Sequence, residues 1–273
     1  ESVQSRHPEL RPKEFLHEIR QITEKSGTAM IMDEVITGFR VHPGGAQAYY
    51  GIKADLASYG KVVGGTMPLG IIAGKAKFMD ALDGGFWQYG DNSVPEAGVT
   101  FFAGTFVRQP LALAAAEAAL TKLKKGGPQL QQSLADKMTK FATDLNQHFE
   151  QTGASIKLEH FSSFFFINYP RDVSYSVLLF YLLREKGLHI QEDRPCFFNL
   201  SHSEKDIEKI IWIFKDSVAE MQIAGLLPNT IGIETIKRNR SPQFEARLGK
   251  DQEGNPAWFI PDPDRPGKYL QLS

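Results

Sequence analysis

A short apolar run, Thr28-Ala29-Met30-Ile31-Met32, follows an amphipathic segment and stops at Asp33-Glu34. The segment before it opens on Pro12, which a helix accepts in its first turn, and sets Phe15, Leu16, Ile19 and Ile22 on one face at helical spacing. Gly27 reads as its C-terminal stop. A continuous apolar run of this kind predicts a strand covered on both faces. Ala54–Tyr59 predicts a second βα-like passage, and Leu69–Ala73 is a third apolar run. Helix alternating with buried strand predicts an α/β layer with a largely parallel sheet, in which ligands bind at the carboxyl ends of strands.

From Asp83 to Gly104 the chain is rich in Gly, Asn, Ser and Pro and predicts a long loop, of a length that in a compact domain carries function or disorder. The alanine-rich stretch Pro110–Leu123 predicts a helix, closed by Gly126-Gly127-Pro128, where we place a domain boundary. The next part, 127–225, predicts an α+β unit. It has a helix from Gln129 to about Gln151, strands around Ile156–Glu159 and Phe164–Asn168, a helix at about Ser174–Lys186 and a further strand region. Its last helix starts near Ser203, whose hydroxyl pairs with Asp206 three residues on as a capping box. Past about Leu226, prolines at 242, 256, 261, 263 and 266 and few periodic apolar positions predict an irregular connector over 226–273.

Charge excludes some function classes. With 31 basic against 32 acidic residues, the chain has no electrostatic footprint for nucleic acid or an anionic membrane surface. No apolar run approaches the ~20 residues of a membrane-spanning helix. The single cysteine, Cys196, rules out an intramolecular disulfide and suits a reducing, cytoplasmic setting. It sits in Arg194-Pro195-Cys196-Phe197-Phe198 without a neighbouring base, and reads as structural rather than nucleophilic. No His/Cys spacing suggests a metal; His17-Glu18 lacks the second histidine of a zinc-protease helix. His42, beside Pro43-Gly44-Gly45, is the histidine best placed for a functional role, and Ser201-His202-Ser203 lacks a nucleophile elbow. The chain opens on Glu1-Ser2-Val3 without an initiator methionine, which reads as a piece of a longer chain.

Two segments carry chemistry: Met32–Arg40, with Asp33, and Tyr59–Gly70, with Lys61. Each follows a predicted buried strand, so both residues are expected at one crevice. Carboxylate and lysine at neighbouring strand ends suit pyridoxal phosphate (PLP), which needs a lysine to hold its aldehyde as an imine and an anion to keep its ring nitrogen protonated. A bland reading stands beside this one, with Asp33 as a helix cap and Lys61 as a solvated side chain. An apolar strand ending in Asp-Glu also fits the Walker B of a nucleotide hydrolase, but no Walker A occurs in the chain.

At Asp33-Glu34-Val35-Ile36-Thr37-Gly38-Phe39-Arg40, Gly44-Gly45-Ala46-Gln47 and Gly60-Lys61-Val62-Val63-Gly64-Gly65-Thr66-Met67-Pro68-Leu69-Gly70, the sequence resembles the class III aminotransferases, nearest their glutamate-1-semialdehyde aminomutase branch. The resemblance continues through Ala103-Gly104-Thr105-Phe106 and Ser201–Ile207, over about residues 1–222. It implies a PLP fold-type I aminotransferase: the C-terminal part of a large mixed-sheet domain (1–126) and a small α+β domain (127–225). It implies that Asp33 binds the pyridine nitrogen, Val35 packs on the ring and Lys61 forms the Schiff base. Thr105, with the Gly104 backbone, would reach the phosphate of a neighbouring subunit's cofactor, making the active unit a homodimer. Phe106-Val107-Arg108-Gln109-Pro110 departs from the family's Ser-Gly-Asn-Pro, which bears on the local substrate wall. Glu1 resembles a glutamate near the family's active site, with no role assigned. The phosphate loop and ring-stacking aromatic of the family would precede this chain.

The stretch Ala246–Leu270 is similar to the connector after aminotransferase modules of hybrid polyketide/nonribosomal peptide synthetases of the microcystin and nodularin type. That similarity implies an amino-acid donor, a β-keto acyl acceptor on a carrier protein, and neighbouring synthetase domains as partners. The alternatives are a free-standing glutamate-1-semialdehyde aminomutase and a non-catalytic docking segment of a megasynthase.

Overall fold

The structure is a computed structural model that describes residues 3, 4, 6–96, 98–171 and 173–272; Glu1 lies outside them. The chain divides into two compact units, 1–137 with 161–163, and 138–160 with 164–273.

In the first unit, helix α1 (Lys13–Ser26) ends where expected, on Gly27 in the left-handed conformation. It is followed by β1 (Ile31–Glu34), α2 (Gly45–Tyr50), β2 (Leu56–Tyr59), a 3₁₀ turn (Lys61–Gly64) and β3 (Ile71–Gly74). α3 (Ala76–Asp83) and α4 (Pro110–Gly126) complete it. The sheet order is β1-β2-β3, with β1 parallel and β3 antiparallel to β2, so the sheet is mixed. Buried Asp55, just before β2, ties the elements together. It accepts hydrogen bonds from Lys75 Nζ at 2.6 Å, the Met30 N–H at 2.8 Å and Arg20 Nη1 at 2.9 Å. These donors hold its carboxyl well below the usual range.

The expectation of a first strand covered on both faces is corrected. Within this chain Ile31 is 65% and Ile72 57% exposed, while Met32 and Glu34 are buried. Strand side chains alternate between faces, and α2 packs on the sheet through the Met32 and Glu34 side. An unbroken apolar run does not reveal which face the chain itself covers. From 84 to 109 no helix or strand forms among the described residues, and Phe86, Tyr89, Phe101 and Phe106 are largely exposed.

α5 (Pro128–Thr152) begins in the first unit and runs into the second. There β4 (Lys157–Phe161), β5 (Phe164–Asn168) and β6 (Cys196–Phe197) form one sheet in that order, accompanied by α6 (Leu178–Glu185) and α7 (Glu204–Ile223). The core is aromatic, with Phe141, Phe149, Phe180 and Phe214 almost completely buried. Ser203 and Asp206 form the expected capping box at the start of α7.

The irregular connector expected over 226–273 is also corrected. Its residues form α8 (Ile233–Asn239) and an antiparallel meander of β7 (Arg247–Lys250), β8 (Pro256–Pro261) and β9 (Tyr269–Gln271). Pro256 and Pro261 stand at the two ends of β8, Pro263 and Pro266 in the turn after it and Pro242 before β7, all places where a missing N–H is tolerated. Gly249 lets the Phe259 ring approach to 3.0 Å of where a Cβ would lie.

α8 is joined to α6 and α7 by charge. Arg240 donates to Asp216 (Nε–Oδ1 2.5 Å) and Glu220 (2.9 Å), and Lys186 reaches Glu220 at 2.9 Å and Asp216 at 3.4 Å. Asp216 is buried, so losing the guanidinium leaves a carboxylate with one cation instead of two. We expect Arg240→Ala to destabilise the second unit by about 2 kcal/mol, less than stripping a buried charge of its sole partner because Lys186 remains. Urea unfolding should show a lower midpoint at unchanged slope; an unmoved midpoint would contradict this role for Arg240. No helix among the described residues is long and apolar enough to cross a membrane.

Candidate active site

The parallel register pairs Asp33 with Ser58 and Glu34 with Tyr59, so the carboxyl ends of β1 and β2 lie side by side. Asp33 is exposed, and its Oδ1 accepts the Val35 N–H at 2.9 Å, an Asx turn that holds the carboxylate at the strand tip. Val35 folds back toward the neighbouring strand end: a Cβ built on Gly60 would lie 3.4 Å from Val35 Cγ1. Val35 therefore packs against the residue that precedes Lys61.

Lys61 opens the 3₁₀ turn with φ 46°, a left-handed conformation costing a non-glycine residue about 1 kcal/mol or more. Its side chain is exposed and has no hydrogen-bond or ion-pair partner among the described residues. The far end of the turn is pinned by α4. A Cβ on Gly65 would stand 2.8 Å from Ala115 O and 3.2 Å from Ala119 Cβ. The alanines that favour the helix also let it lie this close.

The structure thus brings Asp33, Val35 and Lys61 together. Gly104 and Thr105 are exposed in the 84–109 loop, where the Val107 N–H donates to Gly104 O at 3.1 Å. Among the described residues no hydrogen bond joins either of them to Asp33, Val35 or Lys61. His42 serves its own turn, its Nδ1 accepting the Gly44 N–H at 3.0 Å. Burial pushes the Cys196 thiol up to about 12, so no thiolate is available at neutral pH.

Three further residues went unread in the sequence. Glu34 is fully buried and accepts the N–H groups of Gln47 (2.8 Å) and Ala46 (2.9 Å) and the Thr37 hydroxyl. Gln47 donates through Nε2 to Tyr59 Oη at 3.1 Å. The Tyr59 ring lies 2.6 Å from where a Cβ on Gly38 would stand, and 5.4 Å from the Phe39 ring centroid. The one sequence signal was glycine: Gly38 and Gly45 stand where the Tyr59 ring and the Glu34 carboxylate leave no room for a side chain.

An anion at one strand tip, an uncommitted primary amine at the next and valine methyls beside it match what a pyridine ring bearing an aldehyde requires. The residues present fit PLP: Lys61 would bond the aldehyde, Asp33 would face the ring nitrogen and Val35 would flank the ring.

Comparison with known proteins shows the family. The family of class-III aminotransferases matches residues 7–215. Glutamate-1-semialdehyde 2,1-aminomutase of Archaeoglobus fulgidus is 31% identical over 223 residues, 77% of this chain and 50% of that protein. An omega-transaminase from Sphaerobacter thermophilus has a similar fold, with TM-score 0.64 and 23% identity over 77% of this chain and 48% of its own. A transaminase with PLP bound gives TM-score 0.66 and 23% identity over 78% and 49%. The chain belongs to the class III aminotransferases, PLP-dependent enzymes of fold type I. It spans about half the length of the curated relatives it matches.

Proposed function

We propose that this chain is the C-terminal half of an aminotransferase domain that, when complete, transfers an amino group from an amino-acid donor by way of PLP. The observation that carries this reading is the placement of Lys61 and Asp33 at adjacent parallel strand ends, with Val35 packed on Gly60. Bound there, PLP supplies an electron sink for the carbanion left when an amine loses its α-proton. Lys61 Nζ would hold the cofactor's aldehyde and, once released, would be the base placed to move the substrate's α-proton. Asp33 would keep the ring nitrogen protonated through its negative charge. The phosphate cradle belongs to the preceding half, so the chain by itself is expected to bind PLP weakly.

For the acceptor, we propose a β-keto acyl chain tethered to a carrier protein, within a cytoplasmic hybrid polyketide/nonribosomal peptide synthetase. In support, the chain continues past the family match at residue 215 into α8 and the β7–β9 meander, and the resemblance of Ala246–Leu270 to synthetase connectors suggests the context. The second reading, a glutamate-1-semialdehyde aminomutase, is favoured by the 31% identical relative. Supplying the complete domain with glutamate and a β-keto acyl carrier protein, or with free glutamate-1-semialdehyde, separates them: turnover of the second alone would refute the carrier-bound acceptor. A non-catalytic docking role is disfavoured by the retention of Lys61.

The active unit in this reading is a homodimer in which Thr105 and the Gly104 backbone reach the partner's cofactor phosphate. The exposed aromatics of the 84–109 loop support an interface there. Thr105→Val is expected to weaken PLP binding about 10-fold, the worth of one hydrogen bond to a charged group. Equilibrium dialysis checks this, and unchanged affinity would remove Thr105 from the site.

A further inference from the structure

We propose that Gln47 is a positioning residue that fixes Lys61 relative to Asp33, acting through Tyr59. This rests on the aminotransferase reading above. The paired backbone of β1 and β2 ends at Glu34 and Tyr59, so the ladder does not set where Val35 and Gly60-Lys61 lie beyond it.

A chain of hydrogen bonds takes over at that point. The buried Glu34 carboxylate, next to Asp33 on β1, holds the start of α2 through the Ala46 and Gln47 N–H groups. From α2 the Gln47 side chain crosses to β2. The Ala54 N–H donates to its Oε1 at 3.3 Å, which fixes the amide orientation, and its Nε2 donates to Tyr59 Oη at 3.1 Å. Tyr59 is wedged over Gly38 and beside Phe39, and leads within two residues into Lys61. Lys61 itself holds a left-handed backbone conformation, which persists only where neighbours enforce it. Gln47 is the residue that meets both strand ends, with its backbone N–H on Glu34 and its side chain on Tyr59.

The test uses Gln47→Leu, Tyr59→Phe and the double variant in the complete domain loaded with PLP. Leucine keeps the bulk of Gln47 and deletes both side-chain bonds; phenylalanine keeps the ring and deletes only the hydroxyl that Gln47 reaches. Since misplacement of a reacting group by about 1 Å costs ~100-fold in rate, each single variant should lose about 10- to 100-fold in kcat with little change in KM. Each should also shift the pH midpoint of the bound cofactor's absorbance band, which a role confined to packing α2 would not move. The double variant should be no worse than the worse single one, as for two residues acting through one contact.

Singles that keep the wild-type kcat and pH midpoint overturn the proposal. So does a slow Gln47→Leu beside a normal Tyr59→Phe, because the route through Tyr59 would then be wrong. If Gln47→Leu fails to fold, the kcat and pH midpoint of Tyr59→Phe decide alone. A wild-type domain that takes up PLP while the variants stay silent sinks only this inference; a wild-type domain without any cofactor band sinks the aminotransferase reading itself.

Discussion

Replacing Lys61 with alanine in the complete domain is expected to lower kcat by about 10⁴-fold or more, while the protein still folds and binds PLP without a covalent bond. The size follows from two losses at one atom. Lys61 Nζ is both the group that holds the cofactor's aldehyde and the base that moves the α-proton, and proton transfer by a placed side chain alone is worth about 10²–10⁴-fold. Folding should survive because the side chain is exposed and without a partner among the described residues, and alanine relieves none of the neighbouring contacts. Lys61→Arg should be nearly as slow, since a guanidinium stays protonated and forms no imine. Steady-state kinetics with melting curves separates chemistry from unfolding. A Lys61→Ala enzyme within tenfold of wild type would remove Lys61 from the centre of the site.

Asp33→Asn is the second large effect, with an expected loss of about 10²–10³-fold in kcat, the usual worth of one preorganised electrostatic partner at a reacting centre. Asparagine retains an oxygen that can accept the Val35 N–H, so the Asx turn persists while the charge is lost. The cofactor's ring nitrogen would then lose the anion that keeps it protonated. Turnover near wild type in a folded Asp33→Asn domain would mean that another residue faces the ring.

Much of this site was legible in the sequence because strand ends and glycine-flanked turns are local. Met30 to Asp33 and Tyr59 to Lys61 each announce a strand and what stands at its tip, and the parallel pairing then brings the tips together. Val35 against Gly60 follows from the same register. What sequence could not supply was pairing at a distance. The bridge from Glu34 through Gln47 to Tyr59 joins three elements, and nothing in the spacing of Gln47 distinguishes it from a surface glutamine on a short helix.

The misreadings have physical causes too. Ile31 read as buried because an unbroken apolar run implies cover, but composition does not say which covering surface the chain supplies. α3 (Ala76–Asp83) went unread because it is barely two turns long. The β7–β9 meander was hidden by its prolines, which lie at the ends of β8 and in the turn after it, where the ladder does not need their N–H groups. Ser203 and Asp206, by contrast, were read correctly because a capping box is written within four residues.

Borohydride reduction of the complete, PLP-supplied domain followed by peptide mass mapping is the sharpest test of Lys61 as the cofactor's attachment point. A pyridoxyl group is expected on the peptide that carries Lys61, with its disappearance in Lys61→Ala. Folded, PLP-supplied protein whose Lys61 peptide remains unmodified would contradict that attachment.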